Sequence, residues 1–283
     1  MSKMKPFLFS VSLFYAVVAF AQTGSIQEKN EKIKANNAII QKSLAEGLKA
    51  YADKNYELAI AKFSEGINAD PDFLGSAAPL NNNKAIALRM KAVNEYNQGT
   101  TDVANRQSWR DKSKNDLQAS LAASQRTIEL IAKETDTTEQ KKYSKEKHDA
   151  LSSICEVHRL LLATNADIAQ PNEAIAALNA YLAVETDPAL KIKNQLAVAN
   201  ALRSSGNTEL AIPICRKILQ TDASIIDATA CLGLCLFERG VANDNKEQLK
   251  ESLGLLKKFI AMAPDSHPLK ATAKEAVTYL ESQ

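Results

Sequence analysis

Between Ala45 and Pro71, apolar and small residues recur three or four positions apart, in two runs separated by polar ones. The first run carries Gly47, Leu48, Ala50 and Tyr51; the second carries Tyr56, Ala59, Ile60, Phe63, Gly66 and Ile67 and ends at Asp70-Pro71. That period predicts two amphipathic helices, each with one apolar stripe. Gly47 and Ala59 are small enough to let the helices approach closely, and Pro71 forbids further helix. One such hairpin cannot bury its own apolar face, so the pattern calls for stacked copies.

Copies follow, with decreasing clarity. Asp116 to Ile128 repeats the second-helix pattern with small Ser120 and Ser124, and its partner helix is expected over Leu80 to Tyr96. A third second helix starts at Pro171 and carries Ala174, Ile175, Leu178, Tyr181 and Leu182, after a first helix over Ser152 to Ala163. In the fourth, Gly206-Asn207 turns between Leu196–Arg203 and a stripe of Leu210, Ala211, Cys215, Ile218 and Leu219. The fifth has Cys231-Leu232-Gly233, then Ser252, Leu256, Phe259 and Ile260 before Pro264. Pro268 to Leu280 mixes Leu269, Ala273, Val277 and Leu280 with Lys and Glu, the pattern of a solvated end cap.

The first unit resembles the tetratricopeptide repeat, a helix-turn-helix motif with Gly in its first helix, Ala and Phe in its second and Pro after it. Gly47, Ala59, Phe63 and Pro71 carry that match, and the resemblance extends over about residues 40–265. It implies an all-α protein, an α-solenoid of about five hairpins plus a C-terminal capping helix, spanning 40–283. The units depart from the motif by insertions near 98–112, 165–170 and 241–245, read as inserted loops, while 22–39 reads as a polar N-terminal segment or helix. Trp109, the sole tryptophan, falls in the longest insertion. It is either an interface hot spot or a cover for the hairpin below it.

The resemblance further implies a concave groove lined by the first helices, of the kind that takes extended peptides or partner helices. The face of each first helix opposite its packing stripe gives Asn81, Arg89, Arg159, Lys193, Asn200 and Arg203. Basic and amide groups suit a carboxylate, so a protein or peptide partner of acidic or amphipathic character is expected. The competing reading is a set of ordinary solvated side chains. Family members that bind chaperone C-termini use Lys and Asn one turn apart in the first repeat; here that face carries Leu44, Leu48 and Tyr51, which argues against the same clamp.

Lys3 and Lys5 precede an apolar run from Phe7 to Phe20 that ends at Ala19-Phe20-Ala21, the layout of a signal peptide over 1–21. The run is short for a membrane span of about 20 residues, so cleavage is favoured over an uncleaved anchor. An exported protein, periplasmic or secreted, is expected, and the lack of any Asn-x-Ser/Thr acceptor leans towards a bacterial source. Cleavage leaves 33 of the 35 Lys and Arg against 33 Asp and Glu, a balance that gives no general attraction to nucleic acid or anionic lipid.

Catalytic patterns are missing: there is no glycine-rich phosphate loop, no Gly-x-Ser-x-Gly and no His-Glu-x-x-His. A non-enzyme without cofactor or metal is expected. Cys155 and His158, one turn apart, could join Cys231 and Cys235 in a zinc site only across two repeats, against the compact pairing such sites use. Cys215, Cys231 and Cys235 sit on apolar stripes of adjacent hairpins. They are small buried hydrophobes, or Cys215 bridges Cys231 or Cys235 in an oxidising compartment. The leading expectation is a protein-interaction scaffold or adaptor; the alternative is an accessory, oligomerising subunit of a cell-envelope enzyme or transport complex.

Overall fold

The computed structural model describes residues 25–282 of the chain. The leader segment 1–21 lies outside the described residues. Among those described run twelve α-helices and no strand. The helices α1 (Ser25–Ala52) and α2 (Tyr56–Ala69) form a first hairpin, α3 (Leu74–Thr101) and α4 (Arg106–Lys133) a second. A short α5 (Thr137–Lys142) leads to a third hairpin, α6 (Ser144–Ala163) with α7 (Pro171–Val184). The fourth joins α8 (Pro188–Ser204) to α9 (Thr208–Thr221), the fifth α10 (Ile226–Ala242) to α11 (Lys246–Met262), and α12 (Lys270–Glu281) covers the C-terminal end.

Each second helix also packs on the first helix of the next unit, and the first helices touch in succession, α1 to α3, α6, α8, α10 and α12. No comparable contact joins the second helices. The first-helix layer is therefore the closer spaced, and the stack bends with that layer inside, as an α-solenoid does.

Four of the five hairpins turn the same way. Lys54, Asn165, Gly206 and Asp244 each adopt a left-handed backbone, with φ of 59°, 51°, 80° and 48°. The residue after each donates its N–H to the carbonyl five positions back: Asn55 to Ala50, Ala166 to Leu161, Asn207 to Leu202 and Asn245 to Gly240, at 2.8–3.0 Å. This closes the last turn of the first helix on its own carbonyls. Asn55 and Asn245 then start the second helix, their side chains accepting from Leu58 N–H and Gln248 N–H at 3.1 Å.

Small residues set the hairpin spacing. A Cβ placed on Gly47 would sit 2.5 Å from the Phe63 ring, so α1 and α2 approach only because position 47 has no side chain. Ser120 and Ser252 play the part from the other side. Their hydroxyls donate to the Ala85 and Gly233 carbonyls of the facing first helix, at 2.7 and 2.8 Å. Serine here is as small as alanine and its hydroxyl is satisfied, so its burial costs little.

Glu185, just past α7, ties the third hairpin to the fourth. Its carboxylate accepts from the Tyr181 hydroxyl and from the Thr186 and Asp187 N–H groups, with His148 Nε2 of α6 at 3.1 Å. Those hydrogen bonds, that of Tyr181 first, hold its carboxyl down to about 2.

Two expected boundaries are corrected. Residues 22–39 do not form a separate segment in their described part, because α1 runs unbroken from Ser25 to Ala52, through the expected start of the solenoid at residue 40. The insertion at 98–112 is no loop either: α3 continues to Thr101, α4 begins at Arg106, and a turn without any left-handed residue joins them. Gly99 leaves room for this close pairing, since a Cβ there would lie 3.1 Å from the Trp109 Cβ. Around 165–170 and 241–245 the chain leaves helix at Thr164–Gln170 and Asn243–Asn245.

Candidate functional site

The inner face is built from first helices, and the six expected residues divide on it. Asn81 is 5% exposed and donates Nδ2 to the Ala77 carbonyl of its own helix at 2.8 Å, so it belongs to the interior and not to the groove. The reason is helical period: eight residues from Asn81 to Arg89 overshoot two turns by roughly 80°. Lys193, Asn200 and Arg203, spaced by seven and three, share one stripe of α8.

Arg89 of α3 is half-buried, within electrostatic reach of Tyr51 of α1 and of Glu156 and Arg159 of α6. Burial pulls its guanidinium below the ordinary arginine value, with Glu156 and Tyr51 acting in the opposite sense. Among the described residues no hydrogen bond or ion pair reaches it. Arg159 differs, since Glu156 grips it twice, Nε to Oε2 at 2.7 Å and Nη2 to Oε1 at 2.6 Å. Arg203 donates Nη1 to Glu238 of α10 at 2.9 Å.

Acids accompany two of the cations on this face: Glu156 pairs with Arg159 and Glu238 with Arg203. Of the four cations, Arg159 and Arg203 are matched, while Arg89 and the exposed Lys193 have no acid within ion-pair distance among the described residues. Glu156 was legible as a residue three before Arg159. Glu238 was not, because it lies 35 residues from Arg203 and meets it only through stacking.

Trp109 folds back. Its Nε1 donates to Asp102 at 3.0 Å and the Lys112 ammonium sits 4.2 Å above its ring, so it closes the tip of the α3–α4 hairpin. Beneath that tip a polar cleft of about 250 Å³ is lined by Tyr96, Arg110, Ser113, Lys114, Asn165 and Asp167. Lys114 spans it to Asp167 at 3.1 Å.

All four cysteines are buried and unbridged. Burial pushes Cys155 up to about 12 and lowers His158. Among the described residues no group of three or more His, Cys, Asp or Glu is placed to hold a metal ion, and no helix is long and apolar enough to cross a membrane. Cys215 of α9 meets Cys231 and Cys235 of α10 in one apolar cluster.

Hairpin order, shared turns and small-residue crossings define a tetratricopeptide-like helical-repeat fold. Among solved structures, that of the MamA protein is similar at a TM-score of 0.43 and 17% identity, over 82% of this chain and 100% of that one. The TPR2AB domain of yeast Sti1, solved as a complex with pHSP90, gives 0.32 and 18%, over 87% of this chain and 100% of that one. The P58(IPK) TPR domain gives 0.32 and 12%, over 93% and 70%. No protein-family profile and no curated protein matches the chain. The class rests on the chain's own hairpins, which need no support from likenesses this distant.

Proposed function

We propose that this chain is a non-enzymatic scaffold that docks a segment of another protein along its first helices, with Arg89 receiving a carboxylate of an acidic or amphipathic segment. One observation carries the reading: Arg89 is half-buried and unbonded, whereas the nearby Arg159 and, further along the inner face, Arg203 each hold an acid. A guanidinium drawn out of water without a partner is unfavourable, and a ligand carboxylate would offset that cost with two parallel hydrogen bonds. Tyr51 lies within reach of Arg89, and Leu44 and Leu48, partly buried on the same helix, offer apolar surface at the first hairpin.

The test is anisotropy with labelled acidic, neutral and basic amphipathic peptides. Acidic peptides should bind most tightly, and Arg89→Ala should weaken them about 10-fold or more, the usual loss for a hydrogen bond to a charged group. Equal affinities for wild type and Arg89→Ala would remove the assignment.

A second reading, the oligomerising subunit of an envelope complex, is favoured by the start of α1. Asn36 Nδ2 donates to the Ala69 carbonyl at the end of α2, so the α1 residues before it extend past their hairpin partner. Ile33 is 49% exposed there, and Ile39, just inside the hairpin, is 40% exposed. Export remains part of the proposal and is supported by Lys3, Lys5 and the apolar run Phe7 to Phe20.

A further inference from the structure

We infer that Cys231 is the pivot of a redox-active thiol cluster, and that its disulfide with Cys215 staples the fourth hairpin to the fifth. Cys215, Cys231 and Cys235 are each 0% exposed, and the cluster lies where α9 packs on α10. Three sulfurs meet where alanines would fill an apolar stripe equally well. Within one apolar cluster, the Cys215 thiol across the seam and the Cys235 thiol one turn along α10 both interact directly with Cys231. Cys215 and Cys235 act on each other only at longer range, which leaves Cys231 as the partner for a bridge between helices.

The surroundings suit a thiolate at Cys231. Two thiols flank its sulfur, and the Arg203 guanidinium favours the thiolate at both Cys215 and Cys231. Arg203 Nε is buried without a hydrogen-bond partner, so a negative sulfur nearby would answer an unmet donor. Asp227 and Glu238, the acids of α10 nearest the cluster, act in the opposite sense on Cys231 and Cys235 respectively.

The chemistry is thiol–disulfide exchange with a small-molecule disulfide as oxidant. The Cys231 thiolate attacks one sulfur of that disulfide, breaking its S–S bond and releasing one small thiol. Cys215, as thiolate, then attacks the Cys231 sulfur of the mixed disulfide and releases the second. Two electrons pass from the protein sulfurs to the oxidant, and the two thiol protons leave on the two small thiols. Since the cluster is buried, exchange proceeds when the seam between hairpins opens, and the bridge then holds that seam closed.

The full reduced chain is incubated with oxidised glutathione under native conditions, then denatured in acid, alkylated and mapped by mass spectrometry. Two of the four thiols should resist alkylation, in a peptide pair joining Cys215 to Cys231, and Tm should rise by several degrees and fall back with reductant. Cys231→Ala and Cys215→Ala should lose the bridge, while Cys235→Ala and Cys155→Ala should keep it. Four alkylated thiols after oxidation, or a bridge that excludes Cys231, overturns the inference. Because the wild-type map is decisive, a variant that fails to fold does not obscure the result, and nothing in the test depends on what the groove binds.

Discussion

Glu185 joins three elements through four hydrogen-bonding groups, and its acidity records that. Its folded value lies near 2 against an ordinary 4.5, so the stability it contributes is present above the ordinary value and is lost as pH falls from about 4.5 through about 2. Glu185→Gln should lower Tm at neutral pH and flatten the loss of Tm with acid across that window, as read by circular dichroism. An unchanged acid profile would mean that other carboxylates govern acid unfolding. The same residue-by-residue view sorts the groove arginines. Replacing Arg159 or Arg203 by Glu would set a second carboxylate against Glu156 or Glu238 and disturb the fold, whereas Arg89 can be changed without orphaning an acid. The sequence supplied the residue types. It could not show that Asn81 points inward or that Glu238 comes up to Arg203, because both depend on which neighbours the helices acquire.

At the scale of elements, helices and turns were mostly legible. Apolar period marked nearly every helix, and Gly206-Asn207 announced its turn because glycine takes positive φ at no cost. Lys54, Asn165 and Asp244 make the same turn without that signal, and their left-handed backbone is imposed by the helix closing on its carbonyls. A side chain other than glycine in that region costs about 1–2 kcal/mol. Gly206→Ala should therefore destabilise by about 1 kcal/mol and Lys54→Gly should stabilise by a similar amount, measured by urea denaturation. Equal midpoints for both variants would show the turns to be unstrained. The stretch 98–112 misled because its residues exceed the repeat motif and so read as an inserted loop. In place, Gly99 is a point of close approach for Trp109, and pairing along the whole length of α3 and α4 outweighs the weak local preference.

For the whole molecule, each hairpin leans on the next, so end surfaces matter. The C-terminal end is covered by α12, whose Ala273 and Ala276 pack against Leu234, Leu256 and Phe259. Among the described residues, the N-terminal end has no equivalent cover. If α1 pairs with a second copy there, light scattering on the full chain should give twice the monomer mass, and Ile33→Asp with Ile39→Asp should restore the monomer. A monomer in the wild type at tens of micromolar would reject that reading.

What the sequence by itself determined is the repeat: how many hairpins, which positions are small, and where the stack is capped. Those features are local, since a hairpin's two helices lie within a few tens of residues and each buries only one stripe. What only the tertiary structure decided is the chemistry of the inner face and of the seam between α9 and α10. Whether an arginine is matched or three thiols converge depends on residues brought together by stacking from separate hairpins, and helical period within one segment carries no information about its neighbour's register.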